Sequence, residues 1–183
     1  AGNQDYSMSI GVFRVSEDRR LSHVDDSGQA RMVDVGAKAD SERVAVARGM
    51  VHMRADTLAL IRQGGIAKGD VRAAAELAGV MGAKQTANLI PLCHPLPLTQ
   101  VVVVVDIDGA TVKADDTAEV SITATAKTVG KTGVEMEALT AVAIAALTLY
   151  DMCKAVDRSM RIADVRLVWK SGGRSGTWEA QDA

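Results

Sequence analysis

The chain has 183 residues, 48% of them apolar, which is enough for one domain with a genuine core and too little for two ordinary ones. Its 21 Lys and Arg stand against 23 Asp and Glu, and the net charge of −2 exerts no general pull on nucleic acid or an anionic membrane, so any anion site must be local. Aromatic residues make up only 3% of the chain and are scattered, which excludes the base-stacking platforms of single-strand binders.

The first twenty residues, AGNQDYSMSIGVFRVSEDRR, lack the basic start and apolar run of a secretory leader and read as an extension outside the fold. The domain is expected over residues 21–176, with residues 177–183 as a tail. From Arg43 to Met53 larger and smaller side chains alternate with period two, which predicts a strand with one buried face. The segment ADTLALIRQGG has helical spacing and stops on a glycine pair. Asp70 is a capping residue for a second helix, VRAAAELAGVMGAKQTANLI, which halts before Pro91.

Leu98 to Ile107 is a β-branched run followed by a turn signal at Asp108 and Gly109, and Glu119 to Thr128 alternates again, so the pair predicts two antiparallel strands. The longest helix is expected from Gly133 to Ala155, and its apolar run Ala138–Tyr150 is shorter than the roughly 20 residues that span a bilayer. Ile162 to Lys170 reads as a closing strand. The order β, α, α, β, β, α, β predicts an α+β domain, an antiparallel sheet covered by helices and similar to a ferredoxin-like fold.

Several segments carry chemistry-bearing residues. Val129–Thr132 reads VGKT, but a phosphate-binding P-loop needs glycine where Thr125 stands, so the pattern fails and a strand-to-helix turn is the plainer reading. Glu135 and Glu137 fall in the first turn of the long helix, where the macrodipole alone accounts for acidic residues. Two residues apart they do not share a face, and Glu137, which borders the apolar run, is the better site candidate. Asp151 and Lys154 sit at i and i+3 near the helix end, placed either as a surface ion pair or as a coupled acid and base.

Cys93 and His94 are flanked by Pro91, Pro95 and Pro97, which restrain the loop and fix the direction of the imidazole; a binding role and a satisfied buried histidine are equally compatible with this. Three histidines and two cysteines, with no ligand spacing beyond that adjacent pair, give no expectation of a zinc site. The cysteines also lack a Cys-x-x-Cys pair, which points to a reducing, cytoplasmic compartment. The segment KSGGRSG from Lys170 combines cations, hydroxyls and close-approach glycines suited to phosphate oxygens, though a mobile glycine-rich tail has the same composition. Lys68, in a loop before a helix, reads from composition as a solvated lysine.

Six strings together resemble the cyclic pyranopterin monophosphate synthase family of molybdenum cofactor biosynthesis: MVDVGAK at Met32, KGDV at Lys68, AKQTANLIPLCHPL from Ala83, GKTGVEMEALTAV from Gly130, YDMCKAV from Tyr150 and VRLVWKSGGRSG from Val165. The resemblance spans residues 21–176. It implies that 3′,8-cyclo-7,8-dihydroguanosine 5′-triphosphate is rearranged to the pyranopterin with release of diphosphate, without a redox cofactor, Mg2+ accompanying the triphosphate being left open. By motif it implies Asp151 as catalytic acid or base with Lys68 and Lys154 in catalysis, and Leu92, Cys93, His94, Met136 and Glu137 in substrate binding. For Lys68 this overrides the compositional reading. Ile66 and Ala67 stand where relatives often carry polar or basic residues, which lowers the local positive potential.

The resemblance further implies a homohexamer of three dimers. Glu137 and Asp151 are fourteen residues apart, so a continuous helix separates them by about 21 Å along its axis. Two such helices packed antiparallel across a two-fold axis would bring Glu137 of one subunit near Asp151 of the other. A competing expectation, from another class, is a catalytically inert nucleotide-binding or scaffold protein that keeps the same fold.

Overall fold

A computed structural model describes residue 29 and residues 31–181. The proposed extension over residues 1–20 lies outside the described residues. By its internal contacts the chain divides into residues 1–33 and 34–183; the described part of the first unit is irregular, and all that follows concerns the second.

The second unit runs β1 (Ser41–Arg54), α1 (Ala55–Arg62), α2 (Val71–Lys84), α3 (Thr86–Leu89), β2 (Leu98–Val112), β3 (Thr117–Gly130), α4 (Glu135–Cys153), β4 (Arg161–Ser171) and β5 (Trp178–Glu179). The strands form one antiparallel sheet in the order β2-β3-β1-β4-β5. The α+β architecture expected from the sequence is present. Alternation is nearly complete along β3, where Ala118, Val120, Ile122, Ala124 and Ala126 are buried and the residues between them are not. Ala45 and Ala47 of β1 extend that inner face with small side chains, which lets a helix approach closely.

The helix that approaches is α4. It buries Ala138, Ala141, Val142, Ala145 and Leu149, packing on β1, β3 and β4 on one side and on α2 on the other. The α2–α4 contact depends on two glycines one turn apart. A Cβ on Gly79 would lie 2.9 Å from the Ala141 carbonyl oxygen, and one on Gly82 would lie 2.7 Å from Ile144 Cγ1. By length and composition α4 could cross a membrane, but its apolar window is 56% buried within the domain, as in a core helix.

Three boundaries differ from the sequence reading. The second helix breaks at Gln85, whose φ of −101° and ψ of 4° separate α2 from the single turn of α3. Asp70 does cap α2, its carboxylate accepting from Ala73 N at 3.0 Å. The turn signal at Asp108 and Gly109 is a bulge inside β2, not its end. Asp106 accepts the Gly109 N–H at 2.8 Å, and the Arg62 guanidinium donates to the carbonyls of Ile107, Asp108 and Ala110 at 3.0–3.2 Å. The chain reverses at 113–116 instead, where Asp116 adopts φ 60° and Asp115 accepts from Thr117 N at 3.1 Å. Finally, the segment read as a tail supplies β5, in which Trp178 pairs with Lys170.

Candidate active site

The uninterrupted helix α4 carries two separate groups of the residues singled out in the sequence, one at each end. At its C-terminal end Asp151 binds two ammonium groups: Lys154 Nζ lies 2.6 Å from Oδ1 and Lys68 Nζ lies 2.7 Å from Oδ2. Lys68 Nζ also donates to the Asp151 carbonyl at 2.8 Å, where the negative end of the helix dipole favours a cation. The loop after α1 delivers Lys68 to this position across 83 residues of sequence. The Asp151 side chain is 55% exposed, so this is an open, charged triad and not a buried pair. Hydrogen bonds from Lys154 and then Lys68 hold its carboxyl well below the usual range, at about 2. Asp151 is therefore ionised at neutral pH.

The N-terminal end is its opposite. Glu137 is 4% exposed, and burial pushes its carboxyl above the usual range. Its own backbone N–H opposes that shift, and Glu135 adds to it. Cys93 comes close enough for Glu137, after burial, to raise its thiol as well, so Cys93 stays a neutral thiol. The loop bearing Leu92, Cys93 and His94 is half-buried, with Cys93 N donating to Ile90 O at 3.1 Å. Met136 is on the exposed side of the first turn. The structure thus gathers Lys68, Asp151 and Lys154 in one place and Cys93 and Glu137 in another.

A third feature was only half visible in the sequence. The segments around VGAK and KSGGRSG, more than 130 residues apart, face each other across an open cleft of about 890 Å³ lined by Lys38, Ser41, Arg43, Arg174 and Ser175. Gly172 (φ 99°) and Gly173 (φ 72°) let β4's exit pass against β1; a side chain on either would collide with Glu42 O or the Arg43 guanidinium. Ser41 Oγ and Arg43 Nε are buried without a hydrogen-bond partner, which marks the cleft as polar and incompletely satisfied. The cleft is tied to the approach to α4: Lys131 Nζ donates to Gly36 O at 2.7 Å and Arg43 Nη2 to Lys131 O at 3.3 Å. The glycine-rich composition of 170–176 signalled one wall, but Ser41 and Arg43 had no local signal beyond their place in a strand. Among the described residues no group of three or more His, Cys, Asp or Glu is placed to hold a metal ion.

These features have counterparts among known proteins. The chain is 59% identical over 162 residues to a cyclic pyranopterin monophosphate synthase of Thermomicrobium roseum, covering 88% of this chain and 94% of that protein. It is 62% identical over 156 residues to that of Roseiflexus sp. RS-1, covering 85% and 95%, and 56% identical over 161 residues to that of Dinoroseobacter shibae, covering 88% and 98%. The pattern of the MoaC family matches residues 32–173, from the first wall of the cleft through both ends of α4 to the second wall, and the chain belongs to that family.

Proposed function

We infer that this chain is a cyclic pyranopterin monophosphate synthase, a lyase of molybdenum cofactor synthesis that rearranges 3′,8-cyclo-7,8-dihydroguanosine 5′-triphosphate to the pyranopterin and releases diphosphate. The observation that carries the chemistry is the contrast between its carboxyl groups, Glu137 buried and pushed toward its neutral form and Asp151 exposed and held ionised between two lysines. Opening a guanine-derived ring and closing a pyran move protons at several atoms, which calls for more than one acid or base. Lys68 and Lys154 supply ammonium protons with Asp151 as their counter-ion and proton acceptor, and Glu137 supplies a carboxylic acid beside the Cys93–His94 loop. Closing the cyclic phosphate displaces diphosphate, and the cations of the polar cleft, Lys38, Arg43 and Arg174, stabilise the charge that develops there. Any Mg2+ arrives with the triphosphate as part of the substrate.

The same geometry supports a reading of the assembly. Glu137 and Asp151 are about 21 Å apart along a straight α4, yet the reading requires both to serve one fused-ring nucleotide. Two copies of the chain with α4 antiparallel across a two-fold axis build a shared site from the Glu137 end of one and the triad of the other. Exposed Leu77 and Met81 on α2 and Leu147 on α4 give the helix layer an apolar outer surface for such a contact. A ferredoxin-like sheet, a homohexamer made of three such dimers and a cytoplasmic location complete the reading.

The deciding experiment incubates the purified chain with the cyclised nucleotide and measures diphosphate and pyranopterin together. Both products in equal amounts are expected. Verified substrate recovered unchanged would instead establish an inert binding or scaffold protein.

A further inference from the structure

Asp157 lies just beyond α4 and is 1% exposed, yet neither the motifs nor the reaction above uses it. A carboxylate this deeply buried is costly unless fully hydrogen-bonded. Here it is. Oδ2 accepts from the Arg54 backbone N–H at 2.9 Å and from Thr57 Oγ1 at 3.3 Å, and Oδ1 accepts from Ser159 N at 2.9 Å and Ser159 Oγ at 2.6 Å. Burial opposes its charge, but the bonds from Ser159 and Arg54 outweigh that cost and hold its carboxyl below the usual range.

The partners place Asp157 between two elements. Arg54 is the N-cap residue of α1 and makes no capping bond with its own side chain, so Asp157, about a hundred residues away, serves the α1 N-terminus in its stead. The Arg54 guanidinium returns across the same gap to Val156 O at 3.2 Å. On the other side, Asp157 N and Val156 N both donate to Cys153 O, which fixes the turn that leaves α4 immediately after Lys154. Cys153 feels both neighbours: burial first, then Asp157, raise its thiol to about 11, while Lys68 lowers it. Asp157 thus sits at the joint between α1, which leads into the Lys68 loop, and α4, which carries Asp151 and Lys154.

We propose that Asp157 is a positioning residue for the Lys68–Asp151–Lys154 triad, clamping the C-terminal turn of α4 to the N-terminus of α1 so that Lys68 meets Asp151. The proposal rests on the reading of the triad as catalytic, but its first readout needs no substrate and no turnover. A triad brought together by two elements and one buried clamp loses alignment when the clamp loosens, and misplacement of about 1 Å costs on the order of a hundredfold in rate.

The test compares Asp157→Asn, Thr57→Val and a control, Thr86→Val, which removes an equally buried threonine hydroxyl on α3 that donates to Gly82 O and Ala83 O of α2 and to neither α1 nor the triad. The Asp151 carboxyl is followed by carbon NMR titration in the full chain. In the parent it should titrate at about 2; in Asp157→Asn it should move toward the ordinary 3.8, in Thr57→Val part of the way, and in Thr86→Val not at all. With the cyclised nucleotide, kcat of Asp157→Asn should fall about 10–100-fold with KM little changed. If Asp157→Asn does not fold, Thr57→Val carries the comparison alone. A parent value near 3.8, an unmoved Asp151 in the folded variants, or an equal movement in Thr86→Val would each overturn the proposal. An inactive parent with the expected titration pattern would overturn the catalytic reading and leave the clamp standing.

Discussion

The two ends of α4 carry carboxylates of similar chemistry in opposite environments. Glu137 lies at the positive end of the helix dipole, which favours its ionised form, yet burial wins and the carboxyl is pushed toward neutrality. Asp151 lies at the negative end, which disfavours its charge, yet two lysines reverse that and the carboxyl is ionised down to about pH 2. In both places solvent exposure and direct partners outweigh the dipole, which is worth less than about 1 kcal/mol on a surface. One helix thereby presents an acid in a dry setting and an ion triad in a wet one.

The largest effect should come from removing the charge at the wet end. Asp151→Asn keeps the volume but leaves two ammonium groups without their counter-ion and removes the proposed proton acceptor, so kcat should fall about 10²–10⁴-fold. Lys68→Ala should lose activity to a comparable degree. Because the triad is exposed and its charges are screened by solvent, neither change should appreciably shift the unfolding midpoint at neutral pH. The sign with pH is definite: a carboxyl depressed to about 2 contributes its stabilisation above 3.8 and loses it as pH falls through 2, so stability measured between pH 4 and 7 should be insensitive to this group. Near-parental turnover by Asp151→Asn would remove the wet end from the mechanism.

Next in size is a recovery. Glu137→Ala and Asp151→Ala, each expected to be inactive alone on the proposed roles, damage opposite ends of α4. In a dimer with antiparallel α4 helices, a mixed pair contains one site with both defects and one with neither. Random co-refolding should therefore restore about a quarter of parental activity, read from diphosphate release. Mixed dimers verified by mass spectrometry that remain inactive would mean that each chain completes its site alone.

Much of this comparison was legible in the sequence, and the parts that were not share a physical cause. Period-two alternation located β1 and β3, and the apolar run with its flanking acids located α4 to within two residues at each end. The bulge at Asp108–Gly109 read as a turn because the residues that hold the strand together there, Arg62 and its three carbonyl bonds, come from another element. The same holds for the site. Composition made Lys68 a solvated lysine, and only the arrival of Asp151 from 83 residues away gives it a partner. Asp157 has no motif at all, since its role consists of bonds to Arg54 and Thr57 about a hundred residues earlier. Local pattern records burial and periodicity, whereas these contacts are made by the fold.

A smaller effect tests whether α4 is the rigid strut that keeps its ends distinct. Gly79→Ala places a methyl group against the Ala141 carbonyl and the Val103 methyls, at 2.9 and 3.1 Å, where backbone cannot yield cheaply. Overpacking of this kind should cost about 1–3 kcal/mol, measured by denaturant unfolding with an unchanged m-value. The helix-propensity gain of alanine, about 1 kcal/mol, offsets part of that in an exposed helix but not against a packed carbonyl. No loss of stability would mean that α2 and α4 are free to separate and that the distance between the two ends is not fixed.

The subtlest expectation concerns the dry end, where function and stability should oppose each other. A buried carboxyl whose value is raised on folding is stabilising only while protonated: that contribution is complete below 4.5, the ordinary value, and is lost as pH rises through the folded value. At pH 7 the folded chain therefore carries a burial cost at the Glu137 carboxyl that the solvated unfolded chain does not. Glu137→Gln replaces the carboxyl by an amide of similar size that never ionises. The variant should have a higher midpoint of thermal unfolding than the parent at pH 7, and the difference should shrink as pH approaches 4.5, while turnover falls because the amide gives up no proton. The same substitution at half-buried Glu135 removes only the smaller charge repulsion that Glu137 feels and should raise the midpoint less. A Glu137→Gln variant less stable than the parent at pH 7 would show that Glu137 is ionised against a favourable partner, and the contrast between the two ends of α4 would disappear.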